Sequence, residues 1–168
     1  ALVGDRCRWG FGKEKALDYY AKAFELDSLV LTSRYFWVEG DLREWLQKYL
    51  IQNPGSYYAH VGIGDSYRSS YDRRDKNDSL LQLCRSEYLA AIALRPEIGT
   101  AYVRLGLTYY DPKNPEKAQE YFMKALPLRF EEARSLFEAA DHLLSYEKYD
   151  EAIRGYKRLL DLKLAPRA

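Results

Sequence analysis

Few side chains in this sequence are spaced for chemistry. His60 and His142 are its two histidines, and such residues can share a metal or pass a proton. They fall at non-equivalent places in the pattern developed below, so packing is the expected role of both. Cys7 and Cys84 form no CxxC or Cys/His spacing. Neither a zinc site nor a disulfide framework is indicated, and two separate, inert buried thiols are expected. Gly10-Phe11-Gly12-Lys13 has two glycines and a lysine but lacks phosphate-loop spacing, and Glu14 stands where Ser or Thr is needed. It reads as a turn between helices. Asn77-Asp78-Ser79 matches a glycosylation acceptor, but one such tripeptide without a secretion signal carries little weight. Arg73-Arg74-Asp75-Lys76 is too short and too mixed in sign for a nucleic-acid patch and reads as a solvated loop. The 16 tyrosines mostly occupy packing positions, as core does, and do not form a base-stacking platform. No catalytic residue, cofactor site or metal site is assigned, and no enzyme is expected within these residues.

The whole chain constrains this further. Lys and Arg number 26 against 25 Asp and Glu in 168 residues, so no global field draws the protein to nucleic acid or to an anionic membrane. With 47% hydrophobic and 30% charged residues and only 10 Gly and 6 Pro, the composition is that of a folded domain. No apolar run approaches the roughly 18 to 20 residues of a membrane helix, and the start resembles no signal peptide. Membrane insertion of this segment is not expected, and the segment reads as soluble. Because the chain opens Ala1-Leu2-Val3-Gly4 without Met, it is expected to be part of a longer protein. That leaves the compartment open, with the cytoplasm slightly favoured over the periplasm or secretion.

The informative feature is a repeat. Tyr102, Leu105, Gly106, Tyr109, Ala118, Phe122 and Ala125 follow an order of large, large, small, large, small, large, small. A shift of 34 residues aligns Leu136, Ala139, Ala140, Leu143, Ala152, Tyr156 and Leu159 with these positions, as a weaker copy of the order. Earlier in the chain His60, Ile63, Gly64 and Tyr67, then Cys84, Tyr88, Ala91 and Pro96, fit with an insertion at 71–78. Leu42, Leu46, Tyr49 and Pro54 supply a compressed unit, and Val3, Gly4, Cys7, Ala16, Tyr20, Ala23 and Ser28 a first one. Asn114 is placed to cap a helix that Pro115 opens, with Glu116 in its first turn. Helices are expected at 1–8, 13–26, 29–38, 40–52, 56–70, 79–94, 98–110, 115–127, 131–145 and 149–163.

This order resembles the tetratricopeptide repeat (TPR) at all its main packing positions except the closing proline. The resemblance is closest over 99–166 and looser towards the start. It implies an all-α superhelical solenoid of four to five helix pairs, with repeats at about 1–30, 31–56, 57–98, 99–132 and 133–166. It also implies that the first helices line a concave groove that receives a peptide, a helix or a folded partner. Carried over position by position, the groove residues are Tyr58, Val61, Asp65 and Arg68, then Val103, Arg104, Leu107 and Tyr110, then Arg134, Phe137, Glu138 and Asp141. The alternative is that these side chains pack on the next repeat or on a capping helix. Asp5/Arg8 and Asp65/Arg68 are spaced three apart, as salt bridges on one helix are.

Two specialised modes of the family are not expected. Val61, Asp65, Val103 and Leu107 stand where a carboxylate clamp for chaperone tails needs Lys and Asn. Gly62, Arg104 and Glu138 stand where an asparagine ladder would read a peptide backbone. The expected function is a non-catalytic protein-interaction scaffold or assembly factor with a protein or peptide partner. Nucleic acid is not expected. The alternatives are a regulatory or substrate-presenting domain of a larger enzyme, or an array that self-associates through uncapped ends, since only Ala165-Pro166-Arg167-Ala168 follow Leu164.

Overall fold

The computed structural model describes residues 39–73, 78–111 and 114–164. Within them the chain forms α1 (Glu39–Gln52), α2 (Tyr57–Arg73), α3 (Asp78–Leu94), α4 (Gly99–Leu107), α5 (Glu116–Ala125), α6 (Ala133–Ser145) and α7 (Tyr149–Leu164). No strand occurs among the described residues, apart from one isolated parallel bridge between Ile98 and Arg129. None of these helices is long and apolar enough to cross a membrane. The helices expected at 1–8, 13–26 and 29–38 lie outside the described residues, as do Cys7, the Gly10–Lys13 turn and the Asp5/Arg8 pair.

The helix boundaries follow from local chemistry. α2 continues through Arg73, into the stretch expected to be a loop, and α3 begins at Asp78. A polar stretch gives no apolar periodicity, yet the backbone hydrogen bonds of a helix do not require it. Asp78 in the first turn of α3 also suits the positive end of that helix. α4 stops short of its expected end. There the Thr108 and Tyr109 amides bond to carbonyls three residues back, Leu105 and Gly106, at 3.0 Å each. The Thr108 hydroxyl also donates to Leu105 O at 2.7 Å, which tightens the last turn. Asn114 does not cap α5. Its side chain donates to Asp111 Oδ2 at 3.2 Å, and helical Pro115 holds the cap position with φ −78° and ψ −11°. α6 ends at Ser145 with Tyr146 as its cap; Glu147 follows at φ 60°, and the Lys148 amide reaches back to Leu143 O at 2.9 Å.

The chain divides into two compact units, residues 1–87 and 88–168, with the boundary inside α3. In the first, α1 packs on α2 around Leu46, Ala59 and Ile63, flanked by Trp45, Tyr49, Leu50, Tyr58 and Tyr67. Cys84 is fully buried and donates its thiol to Gly64 O at 3.2 Å. His60 Nδ1 lies 2.7 Å from Glu87 Oε2. Both therefore take packing or structural contacts, as their sequence positions indicate.

The second unit has one continuous core of Val103, Ala118, Phe122, Ala125, Phe130, Leu136, Ala139, Leu143, Ala152 and Leu159. Each large side chain buried there contributes roughly 1.5–3 kcal/mol. Alternation of size lets the helices close. A Cβ on Gly106 would sit 2.8 Å from the Phe122 ring, and one on Gly155 would sit 2.7 Å from Ala140 Cβ. The Phe122 ring in turn stacks on His142, centroids 5.1 Å apart and 7° from parallel, so it has little room to retreat. Gly106→Ala should therefore lower stability by about 1–3 kcal/mol in a denaturant titration. A variant as stable as wild type would show that the ring can move.

Candidate partner-binding face

On α6 the residues Arg134, Phe137, Glu138 and Asp141 are spaced i, i+3, i+4 and i+7, so they share one stripe. α4 packs beside α6 and brings Val103, Arg104 and Leu107, with Tyr110 in the turn that follows. The two sets meet through charge. Arg104 Nη1 donates to Glu138 Oε2 at 3.2 Å, across 34 residues of sequence, and Nη2 lies 3.5 Å from Glu132 Oε1. Glu138 Oε1 also accepts from Arg134 Nε at 3.0 Å, and Glu132 accepts from the buried Ser135 hydroxyl at 2.7 Å. Arg104 is only 6% exposed. A buried cation is tolerated only when carboxylates meet it in this way.

The twelve sequence-assigned groove residues therefore divide. Val103 is fully buried, Arg104 nearly so, and Val61 is 4% exposed, so these three lie in packing and present almost no surface. Tyr58 leans on the first unit's core, its ring edge-on to Tyr57 at 5.1 Å, and Asp65 and Arg68 are half-buried. Leu107 and Glu138 are half-buried, and Tyr110, Arg134, Phe137 and Asp141 are exposed. Tyr110 is anchored at its inner edge by His142, centroids 5.0 Å apart, and by Tyr146 at 5.8 Å. Phe137 lies 6.0 Å from the Tyr156 ring on α7.

Two tyrosines behind this face are electrostatically perturbed. Burial pushes the Tyr146 phenol up to about 12, with help from Tyr110 and the Asp111 carboxylate. Its hydroxyl has no hydrogen-bond partner among the described residues. Burial also raises Tyr156, as does the neighbouring Asp141 carboxylate, to which its hydroxyl donates a hydrogen bond.

One concavity was not assigned from sequence. A cleft of about 540 Å³ in the second unit is lined by Met123, Leu126, Pro127, Glu151, Arg154, Gly155 and Arg158. Arg158 donates to the Leu126 carbonyl at the end of α5, and Arg154 to Glu151 at 3.0 Å. These residues form no motif, and only the helical spacing of Glu151, Arg154 and Arg158 on α7 hints that they share a side. Among the described residues, no group of three or more His, Cys, Asp or Glu side chains is placed to hold a metal ion.

Comparison with known proteins fits this geometry. The family model described as Tetratricopeptide repeat matches residues 99–132, the span of α4, α5 and the segment leading to α6. No curated protein matches the sequence. Among solved structures the chain is similar to a thermophilic TPR protein of Thermus thermophilus, with a TM-score of 0.65 and 19% identity over 95% of this chain and 88% of that one. It is similar to MamA, with a TM-score of 0.55 and 22% identity over 95% and 93%. It also resembles human IFIT1, described as a dimer with PPP-AAAA, with a TM-score of 0.63 and 20% identity over 98% of this chain. The chain spans 41% of the length of that IFIT1 chain. Residues 99–132 are a tetratricopeptide repeat, and the chain has the all-α solenoid fold of TPR proteins.

Two consequences follow for this face. Arg104→Glu would set a third carboxylate against Glu132 and Glu138 in a buried place, and should cost about 3–5 kcal/mol. An unchanged thermal melt would show that the guanidinium is not held between them. Tyr146→Phe removes a buried hydroxyl without a partner, so at pH 7 it should be neutral or stabilising by up to about 1 kcal/mol. Because the folded-state value is raised, the Tyr146 contribution is intact below about pH 10 and is lost as pH climbs towards about 12. The Phe variant should lose less stability than wild type over that window, and equal losses in parallel denaturant titrations would contradict the assignment.

Proposed function

We propose that this chain is a non-catalytic interaction scaffold or assembly factor that holds a protein or peptide partner on the first-helix side of its repeats. The observation that carries the proposal is the wall of the second unit. Tyr110, Arg134, Phe137 and Asp141 stand exposed there, with Leu107 and Glu138 half-buried among them, above the fixed Arg104–Glu132–Glu138 cluster. Rigid aromatic anchors beside a few oriented charges are the usual composition of a recognition surface. In the first unit Tyr58, Asp65 and Arg68 would contribute in the same way, from α2. Val61, Val103 and Arg104 would act beneath the surface, by holding the contact residues in place. The repeat fold, whose known members are generally scaffolds, supports this reading. Lys and Arg balance Asp and Glu, which favours a protein partner over nucleic acid.

The partner's matching features would be an apolar side chain to lie on Phe137 and Tyr110, and charges opposite to Arg134 and Asp141. Capture from lysate with the intact chain, followed by mass spectrometry, would supply the partner for a titration. The double variant Phe137→Ala/Arg134→Glu, with helicity intact by circular dichroism, should then weaken binding by about tenfold or more. An affinity equal to wild type would overturn the assignment of this wall.

A further inference from the structure

The cleft between the end of α5 and α7 shares no residue with the wall proposed above. Its floor is apolar, formed by Met123 on α5, by Leu126 and Pro127 just beyond it, and by Gly155 on α7. A Cβ on Gly155 would sit 3.1 Å from Leu126 Cδ2, so the bare backbone of α7 closes the floor at that point. One rim is charged. Glu151, Arg154 and Arg158 follow one another at i, i+3 and i+7 on α7 and share a side. At about 540 Å³ the cleft has the size of a ligand site. The two guanidiniums differ in role. Arg158 is half-buried, donates from Nη1 to the Leu126 carbonyl and lies 5.9 Å from the Phe130 ring centre. These contacts fix the group and answer the negative end of α5. Its Nε and Nη2 have no hydrogen-bond partner among the described residues. Arg154 is 69% exposed and pairs with Glu151 Oε1 at 3.0 Å, an exposed contact of the kind that is given up at little cost. Glu151 Oε2 accepts from no described residue.

We infer that this cleft binds a peptide segment in which one Asp or Glu carboxylate is flanked by aliphatic side chains. Charge sets the first requirement. Two cations and one carboxylate leave the lining with a single net positive charge, which a monoanion balances, whereas a phosphate dianion would overshoot and face Glu151. The spare N–H groups of Arg158, held in place from behind, and the movable fork of Arg154 can both reach one carboxylate. The floor sets the second requirement, because an aliphatic side chain beside the carboxylate covers Met123 and Leu126. Glu151 sets the third. Its open oxygen needs a donor, which the main-chain N–H of a peptide supplies and a fatty acid, with the same carboxylate and an apolar tail, does not.

The probe is the acetylated and amidated peptide Gly-Ser-Leu-Glu-Leu-Ser-Gly, titrated into the intact chain by calorimetry. A form with Gln for Glu, a form with Ser for both Leu, sodium octanoate and inorganic phosphate run alongside. The Glu peptide should bind saturably with a Kd on the order of 1 mM or below, and every other probe should bind about fivefold more weakly or worse. Arg154→Glu, at an exposed position, should keep wild-type circular dichroism and weaken the Glu peptide by about tenfold. Arg158→Lys, which keeps the charge and loses the fork, should weaken it by about threefold. Neither should alter capture on the wall of α4 and α6, so the two proposals can fail separately. Absence of saturable binding by the Glu peptide, or binding that survives Arg154→Glu unchanged, would overturn the inference. Octanoate or phosphate binding as tightly as the Glu peptide would also overturn it, since the cleft would then belong to a fatty acid or to a phosphate group.

Discussion

The second unit is organised around a single close approach. The Phe122 ring needs the space left by the missing side chain of Gly106, and it is then sealed by α6 through Ala139, Leu143 and the stacked His142. With that ring in place, α4 and α5 lie close enough to form a pair, and their shared surface has the contour that α6 fits. Interior packing tolerates neither a void nor an extra methylene at such a point. The small residue at Gly106, the large one at Phe122 and the small ones on α6 are therefore one constraint expressed three times. Gly155 against Ala140 and Leu126 repeats it between α6 and α7.

Charge is arranged on top of this packing. Arg104 sits at the edge of the core, and its cation is acceptable there because Glu132 and Glu138 converge on it. The cluster ties the first helix of one repeat to the entry and first turns of the next, so Arg134 and Phe137 are presented from a fixed base. Most surface ion pairs are worth little. This one differs because its cation is withdrawn from water, and its removal would leave two carboxylates facing each other.

Much of the fold can be read from residue order. The 34-residue recurrence of large and small side chains marks the helix pairs of the second unit, and the positions it marks as small in the first of them, Gly106, Ala118 and Ala125, are all buried. Local signals are less dependable at helix ends. Asn114 has the chemistry of a cap but spends it on Asp111. Thr108 ends α4 through its own hydroxyl, a competition that hydrophobic periodicity does not register.

The candidate face is where residue order and structure part. Template position alone treats Val103 and Phe137 as equivalent, as it does Arg104 and Glu138, and that equivalence is real in direction along the helix. Burial, however, depends on whether another helix pair lies over the position, which no single repeat encodes. Val103 is sealed because α6 covers it, whereas Phe137 is half open because its own copy of that surface is uncovered. Residue order alone sets the period, the helices and the direction in which each side chain points from its helix, since these are settled within some dozens of neighbouring residues. Which of those side chains meet water is set by the packed stack, because exposure is a property of contacts made between helices far apart in the chain.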